Sequence, residues 1–214
     1  MDRADVPELL EDPTLPADVV AAAYRNLAST QRFLGNMRAI FRQLRKHRGP
    51  IRLVVDIGCG QGALLEEIHK KLGIEVVGFD LRPAPAGPVR ILTGNAAVDP
   101  LPPADVAISV CLLHHLSEAQ IIALIRNVAK SCRRLILLDL VRHWIPLTLF
   151  RVFVAPFLHP INAADGLTSV KRAYTPGELR AIADEAVKGS NARVHHIVAP
   201  FYVRQIIDIE FTAG

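Results

Sequence analysis

The stretch that decides the fold is residues 51–80, IRLVVDIGCGQGALLEEIHKKLGIEVVGFD. It opens with an apolar, β-branched run over residues 51–57, which predicts a buried parallel strand. The glycine-rich turn 58–62 follows, and then leucine and isoleucine at helical spacing as far as Gly73, which predicts a helix with a glycine stop. A second apolar run ends at Asp80. The stretch therefore predicts a β-α-β unit with an acid at the tip of its second strand, a geometry that holds a nucleoside ribose.

The glycine pattern fits two classes of ligand. Gly58, Gly60 and Ala63 satisfy G-x-G-x-x-G/A, the fingerprint of dinucleotide-binding proteins. With Asp56 in front, Gly58, Gly60 and Gly62 satisfy D-x-G-x-G-x-G, which resembles motif I of the class I S-adenosylmethionine (SAM) methyltransferases. A pyrophosphate prefers backbone N–H groups with no carboxylate nearby. SAM carries an ammonium and a sulfonium and no phosphate, so Asp56 favours SAM.

Length and composition indicate one α/β domain with an N-terminal extension. The 214 residues are half apolar and too few for two ordinary enzymatic domains. The three cysteines form no C-x-x-C pair and indicate a reducing compartment. Because the N-terminus is acidic and polar and no stretch has 18 uncharged apolar residues, we expect a cytoplasmic protein without a membrane span.

The first 48 residues are predicted to form an N-terminal helical extension, ahead of a sheet domain over residues 49–214. Six acids lie in residues 1–18, whereas residues 19–55 carry none and eight lysines or arginines. The apolar residues of the basic part predict one helical stripe: Phe33, Met37, Ile40, Phe41 and Leu44. Either this extension packs over the sheet, or it is a lid that closes over the cofactor and selects an anionic substrate or membrane surface. Nucleic acid is not expected, because the arginines are not interleaved with stacking aromatics.

The rest of the chain alternates between predicted strands and helices, which predicts a doubly wound sheet. Strands are expected at residues 89–92, 105–110 and 133–140, and two more within residues 194–211. Capping boxes begin helices at Ser117 and at Thr175. A proline-rich link at residues 83–88 excludes helix there.

Five segments in order resemble the small-molecule class I SAM-dependent methyltransferases, of the broad type that includes the quinone-biosynthesis enzymes. They are VDIGCGQG, GFDL, TGNA, ADVAISV with LLHHLSE, and LILLDLVRH, within residues 51–211. The resemblance implies a Rossmann-like sheet of about seven strands, the last one antiparallel. It also implies SAM as the cofactor, S-adenosylhomocysteine as its product, and methyl transfer to an oxygen or carbon atom of a small apolar, phenolic, polyketide-like or quinone-like acceptor.

The same resemblance assigns the cofactor site. Its glycines would pass under the methionine moiety with Asp56 behind the amino group, and Asp80 would hold the ribose hydroxyls. Asn95 stands where most relatives have Asp and would accept from the adenine amino group, beside Ala96. The residues expected at the cofactor are Asp56, Gly58, Cys59, Gly60, Gly62, Asp80, Leu81, Asn95, Ala96 and Cys111, the last as a buried thiol in the pocket wall.

Two histidines are candidate catalytic residues. LLHHLSE resembles the L-H-D-W-S-[DE] segment of plant-type phenolic O-methyltransferases, in which the first histidine, here His114, is the general base. An imidazole is suited to accepting a phenolic proton. His115 departs from that family, which has Asp there, and His143 is a second candidate after the fifth strand. No metal site is expected, because adjacent histidines on a regular element point in different directions and no other ligands lie nearby in sequence.

Residues 144–161, WIPLTLFRVFVAPFLHPI, form an apolar segment expected to roof the acceptor pocket or to make a core or dimer contact. Such a pocket favours an aromatic, polyketide-like or prenylated acceptor, and its character would also suit contact with a lipid-like substrate or a membrane surface. Asp165, Arg172 and Tyr174 are expected at its rim.

Two other functions remain open at this stage. One is an NAD(P)-dependent oxidoreductase that uses the same β-α-β unit, and the other is a SAM-binding or membrane-surface module without catalysis. The sequence does not specify the oligomeric state.

Overall fold

The computed structural model describes residues 1–12, 14–83 and 87–211, so the centre of the proline-rich link lies outside the described residues. The strands are β1 Leu53–Ile57, β2 Glu75–Asp80, β3 Ile91–Thr93, β4 Ala104–Val110, β5 Cys132–Asp139, β6 Arg193–Val198 and β7 Gln205–Glu210. The helices are α1 Ala17–Phe33, α2 Asn36–Leu44, α3 Ala63–Leu72, α4 Glu118–Val128, α5 Trp144–Phe153, α6 Pro160–Arg172 and α7 Pro176–Ala186. Short 3₁₀ turns lie at Leu9–Glu11, Leu113–His115, Ala155–Phe157 and Pro200–Tyr202.

The seven strands form one sheet in the order β3-β2-β1-β4-β5-β7-β6. β1 to β5 pair in parallel, and β7 runs antiparallel to both of its neighbours. The predicted fold is therefore confirmed, including the antiparallel last strand. The strand order reverses between β1 and β4, and in open α/β sheets ligands bind at the carboxyl ends of the strands at such a point.

Helices cover both faces of the sheet, and each face has its own apolar core. On one face α4 and α7 bury Ile121, Leu124 and Ile182 against the strands. On the other face α2 and α3 bury Ile40 and Ile68 against the strands. Both capping boxes are formed as predicted, at the start of α4 and at the start of α7. The helix α2 therefore shares a core with the sheet domain.

The predicted helical stripe in the N-terminal extension is wrong at its first residue. Phe33 ends α1 with 79% of its surface exposed, whereas Met37, Ile40, Phe41 and Leu44 are buried in α2. Between the two helices Gly35 has φ +76°. This left-handed residue breaks the helical register, so Phe33 does not lie on the face that α2 buries.

A buried arginine on β5 forms an ion pair with β7 and also holds α2 to the sheet. Arg134 on β5 donates to both carboxylate oxygens of Asp208 on β7, at 2.8 and 2.6 Å, and to the carbonyl of Gln43 on α2 at 3.1 Å. Bidentate pairs of this kind add geometric specificity. The contact positions α2 as a wall of the cleft described next. Among the described residues no helix is long and apolar enough to cross a membrane.

Candidate functional site

A cleft of about 740 Å³ opens at the carboxyl ends of β1, β2 and β4, at the strand-order reversal. This volume is typical of sites for small molecules and cofactors. One half of the cleft follows the glycine-rich turn and the end of β2, and we call it the cofactor half. The other half lies between the Leu113–His115 turn, α6 and the N-terminal residues 8–11, and we call it the acceptor half.

The turn between β1 and α3 needs its glycines. Gly58, Gly60 and Gly62 have φ of +73°, +56° and +80°, a region that side chains with a Cβ disfavour. A Cβ on Gly58 would also lie 3.0 Å from Leu112. The turn therefore holds its backbone close to the cleft and leads directly into the N-terminus of α3.

Asp56 is the most unusual group in the cofactor half. Its carboxylate lies at the end of β1, 3% exposed, and Oδ1 has no hydrogen-bond partner in the described part of the chain. Burial, together with the nearby charge of Asp80, raises the pKa of Asp56 well above its ordinary value. A buried acceptor without a partner is costly, and a cationic ligand in the cleft would satisfy it.

Asp80 closes the glycine-rich turn onto β2. Its Oδ2 accepts from the backbone N–H of Gly60 at 2.8 Å, and its Oδ1 accepts from that of Arg82 at 2.9 Å. Each carboxylate oxygen retains a further lone pair, and the residue lines the cleft together with Leu81. Both predicted residues therefore lie in the cleft.

The loop after β3 is fixed by its own turn and by α4. The side-chain oxygen of Asn95 accepts from the N–H of Ala97 at 3.0 Å, and the Asn95 N–H donates to Asp99 at 2.7 Å. Asn127 of α4 donates to the carbonyls of Ala96 and Asp99. Asn95 is thus an Asx turn residue that lines the cleft and whose oxygen has one lone pair left over from the turn. Sequence analysis did not find Asn127, because its role depends on the packing of α4.

The two cysteines predicted at the cofactor line the cleft and are neutral. Burial raises the pKa of both the Cys59 and the Cys111 thiol far above the ordinary range. Cys111 adopts φ +56° at the end of β4, and its sulfur lies 3.7 Å from the Gln31 oxygen of α1. A thiol that stays protonated is not a nucleophile, so Cys111 shapes the wall of the cleft.

In the acceptor half, His114 is held by an acid that the sequence analysis did not assign. Asp139, at the end of β5, accepts from the His114 backbone N–H at 2.9 Å and contacts His114 Nδ1 at 2.7 Å. Burial disfavours the charged imidazole, but Asp139 and Glu8 outweigh burial and hold the pKa of His114 above its ordinary value. The sequence did contain one signal for a role of Asp139 at the site, since it is an acid at the carboxyl end of β5, the strand next to β4.

His115 lies beside His114, contrary to the expectation that the two rings would point apart. The 3₁₀ turn puts their ring centroids 4.2 Å apart. His115 Nδ1 contacts Glu11 at 2.7 Å, and both Nε2 atoms face Glu8, at 3.6 Å for His114 and 3.9 Å for His115. Burial and the charge of His114 lower the pKa of His115. In the described part of the chain, Glu8, His114 and His115 are the one group of three whose ligand atoms lie within 4.8 Å of one another.

Residues 3–12, which we call the strap, cross the acceptor half and are fixed to its floor. Arg3 donates to the carbonyls of Arg172, His114 and Leu116, and its guanidinium lies 4.1 Å from the centroid of the Tyr174 ring.

The predicted rim residues hold this strap instead of lining the cleft. Asp165 accepts from the N–H groups of Leu9 and Leu10 at 2.6 and 3.0 Å. Arg172 binds Glu11 at 2.7 Å, and the Tyr174 hydroxyl donates to the Leu116 carbonyl.

The apolar segment 144–161 contributes to the cleft through Phe150 and Leu158. The Phe150 ring packs where a side chain on Gly166 of α6 would be, since a Cβ there would lie 2.2 Å from the ring. Trp144, Phe153 and Phe157 instead face outward and are 65, 64 and 84% exposed. The segment therefore forms part of the cleft wall and also an exposed aromatic surface.

His143 lies away from the cleft. Its Nδ1 accepts from the N–H of Ile145 at 3.2 Å and so begins α5, and its ring stacks on Tyr202 with centroids 4.3 Å apart. The structure therefore brings His114, and not His143, to the predicted site.

Comparison with known proteins agrees with this geometry. The methyltransferase domain family matches the chain over residues 27–156. No curated protein matches it. The plantazolicin methyltransferase BpumL in complex with SAH superposes with a TM-score of 0.60 at 15% identity, over 91% of this chain and 87% of that one.

Two further structures superpose over a smaller share of their own chains. An O-methyltransferase described as putative, from Nostoc punctiforme, gives a TM-score of 0.62 at 17% identity, over 98% of this chain and 64% of that one. Human N-acetylserotonin methyltransferase in complex with SAM gives 0.54 at 16%, over 95% and 62%. At these identities the likeness shows the fold, and the family match covers more than half of the sequence. The chain therefore belongs to the methyltransferase domain family and has the class I fold of the SAM-dependent methyltransferases.

Proposed function

We propose that this enzyme transfers the methyl group of SAM to a hydroxyl oxygen of a small apolar acceptor. The observation that carries the proposal is the presence of two different buried groups in one cleft. The cofactor half contains the unpartnered Asp56 carboxylate, and the acceptor half contains an imidazole anchored by Asp139.

The cofactor half fits SAM better than a dinucleotide. Asp56 can accept from the ligand's ammonium, which relieves its unpartnered oxygen, whereas a pyrophosphate against the same carboxylate would be repelled. We propose that Asp80 binds the ribose hydroxyls and that the loop at Asn95 and Ala96 binds the adenine. Gly58, Gly60 and Gly62 let the methionine moiety approach the backbone, beside Cys59, Leu81 and Cys111. When bound, SAM supplies a methyl group on a sulfonium leaving group.

The chain's own residues then have to orient the acceptor and remove its proton. We propose that Phe150 and Leu158 pack against an apolar acceptor, because they supply apolar side chains to the acceptor half. His114 Nε2 faces the space between the strap and the turn. There it can take the hydroxyl proton.

A carbon acceptor that is already nucleophilic would not need the anchored imidazole, so the His114–Asp139 pair favours oxygen. Two similar structures support this choice, since human N-acetylserotonin methyltransferase is named for a small organic acceptor and the Nostoc punctiforme protein is described as an O-methyltransferase. The plantazolicin enzyme was solved with desmethyl plantazolicin analogues, so a modified peptide is a further class to include.

The test combines binding with turnover. Calorimetry should show binding of SAM and S-adenosylhomocysteine and not of NAD or NADP. Labelled SAM with a panel of phenols, quinols, polyketide-like hydroxyls and azole-containing peptides should then label an oxygen. Nicotinamide binding without a response to SAM would overturn the proposal, and SAM binding without turnover on any acceptor would favour a non-catalytic module.

A further inference from the structure

Glu8, His114 and His115 have the donor chemistry of a metal site. Two imidazole nitrogens and one carboxylate oxygen are a common protein ligand set for Zn²⁺ and related divalent ions when one coordination position is left open. The three residues come from the strap and from the Leu113–His115 turn, which the fold brings together over the acceptor half. Glu8 and His114 have side chains that are 9% and 3% exposed.

The distances between these donors do not fit hydrogen bonds. His114 Nε2 lies 3.6 Å from one oxygen of Glu8, and His115 Nε2 lies 3.9 Å from the other. Hydrogen bonds of this type measure ~2.7–3.2 Å. Two ligands bound at ~2.0–2.2 Å to one tetrahedral ion lie ~3.3–3.5 Å apart. The two distances between imidazole and carboxylate are therefore close to the separation of two ligands on one ion, and all three ligand atoms lie within 4.8 Å of one another.

Each ligand is also oriented from behind. Asp139 contacts His114 Nδ1 at 2.7 Å and Glu11 contacts His115 Nδ1 at 2.7 Å, so that both Nε2 atoms are directed at Glu8. Ser169 donates to Glu8 at 2.5 Å and fixes that carboxylate. Metal-bound histidines almost always have such a carboxylate or carbonyl on the other ring nitrogen, which sets the tautomer and raises the basicity of the ligand.

The surrounding charge also favours a cation. The carboxylates of Glu8, Glu11 and Asp139 border the two rings, and Arg172 offsets one of them by pairing with Glu11.

We propose that His114 Nε2, His115 Nε2 and the Glu8 carboxylate bind one divalent transition-metal ion, of which Zn²⁺ fits the donor set best. The open coordination position faces the cleft, where an acceptor hydroxyl can occupy it. A metal-bound hydroxyl loses its proton at a lower pH, so the ion and not the imidazole would prepare the oxygen. This use of the ion rests on the proposed function, whereas binding of the ion does not.

The test uses the full chain after removal of metal with a chelator. Co²⁺ is titrated and followed by its visible d–d absorption, and Zn²⁺ is then added in competition. We expect one equivalent of Co²⁺ with the intense bands of a four-coordinate site, displaced by Zn²⁺. The proposal would be overturned if the protein showed no Co²⁺ spectrum and no stoichiometric binding of Zn²⁺.

Variants distinguish this site from adventitious binding. Glu8→Gln and His115→Ala should each weaken Co²⁺ binding at least ~10-fold, and Asp139→Asn by ~10–100-fold through the orientation of His114. His195→Ala, on an exposed strand position, is the matched control and should bind as the parent does. Equal binding by Glu8→Gln, His115→Ala and the parent would overturn the assignment. Unchanged SAM affinity in Glu8→Gln would show that the variant is folded.

Turnover then tests the use of the ion separately. Loss of methyl transfer on chelation and its return with Zn²⁺ or Co²⁺ would support that use. Equal turnover with and without the ion would overturn it and leave His114 as the base. Absence of any methyl transfer would contradict the proposed function but not the Co²⁺ result.

Discussion

The two halves of the cleft are built from chain segments of very different range. The cofactor half is almost continuous in sequence, since the glycine-rich turn runs from β1 to α3 and Asp80 ends the next strand. The acceptor half joins the strap to a turn after β4, the end of β5 and α6, across most of the length of the chain. A local site is encoded by a motif, whereas a site assembled at long range is encoded by its packing. The halves should therefore respond independently to substitution.

The largest difference between the effects on turnover and on SAM affinity is expected from His114→Ala. We expect turnover to fall ~10²–10⁴-fold, the usual contribution of a group that acts on the reacting proton, whether it does so as a base or through an ion. SAM affinity should change little, because His114 lies in the acceptor half. Steady-state kinetics and SAM calorimetry provide the measurement, with His143→Ala as a control that lies outside the cleft. Turnover within a few-fold of the parent would exclude a role for His114.

Deleting residues 1–12 should also impair the acceptor half while the sheet stays folded. The strap supplies Glu8 and Glu11 to the acceptor half, and its loss should reduce turnover ~10–100-fold through poorer positioning. The sheet core contains none of these residues, so the fold should persist. Amide exchange is the direct measurement, and protection of the Leu113–His115 turn should fall. If the truncated chain turned over normally, the strap would be packing alone.

The converse experiment is Asp80→Ala, in the cofactor half. We expect SAM binding to weaken by about 1–3 kcal/mol, because the ribose hydroxyls lose a charged acceptor and the Gly60 N–H loses its partner. Co²⁺ binding at the acceptor half should be unaffected. Glu75→Ala, at the exposed start of the same strand, is the control. An effect on metal binding equal to the effect on SAM would show that the halves are coupled.

The smallest effect, and one that depends on pH, is expected from Asp56→Asn. In the folded chain burial and Asp80 raise the pKa of Asp56 above the ordinary value of 3.8, so the native state holds this proton more tightly than the unfolded state. Stability of the parent therefore falls as the pH rises from about 3.8 through the raised pKa, whereas the variant lacks this loss. Thermal unfolding should show that the variant becomes more stable relative to the parent as the pH rises from about 3.8 through the raised pKa.

Asp56→Asn should also bind SAM ~10-fold more weakly, because the ammonium loses its charge partner. Binding by the parent should release a proton, measurable by calorimetry in buffers of different ionisation enthalpy. A variant that is both less stable and unimpaired in SAM binding would contradict this account of Asp56.

The sequence was sufficient for the sheet and for placing the glycine-rich turn and Asp80 at its carboxyl edge, because both rest on local signals. Strand periodicity, the three glycines and the acids that end β1 and β2 are each visible within residues 51–80. The antiparallel β7 followed from the family resemblance.

What the sequence did not predict depends on contacts between distant segments. The position of Asp139 at the end of β5 places an acid at this edge of the sheet but does not indicate that it will bind His114, and nothing near Glu8 indicates that it will face two histidines. The side-by-side histidine rings arise because a 3₁₀ turn replaces the regular element that was assumed. Phe33 was misplaced for a similar reason, since one left-handed glycine changes the direction of the chain.

The contact between Phe150 and Gly166 has a consequence for how this enzyme could diversify. The helices α5 and α6 approach closely because one partner has a ring and the other has no side chain. A larger residue at Gly166 would require the Phe150 ring to shift or to be replaced by a smaller side chain, so the two positions are coupled. Exchanging bulk between them would move the free space from one side of the cleft to the other while conserving core volume. A lineage could in this way alter the size of acceptor it admits in two steps, without altering its catalytic groups.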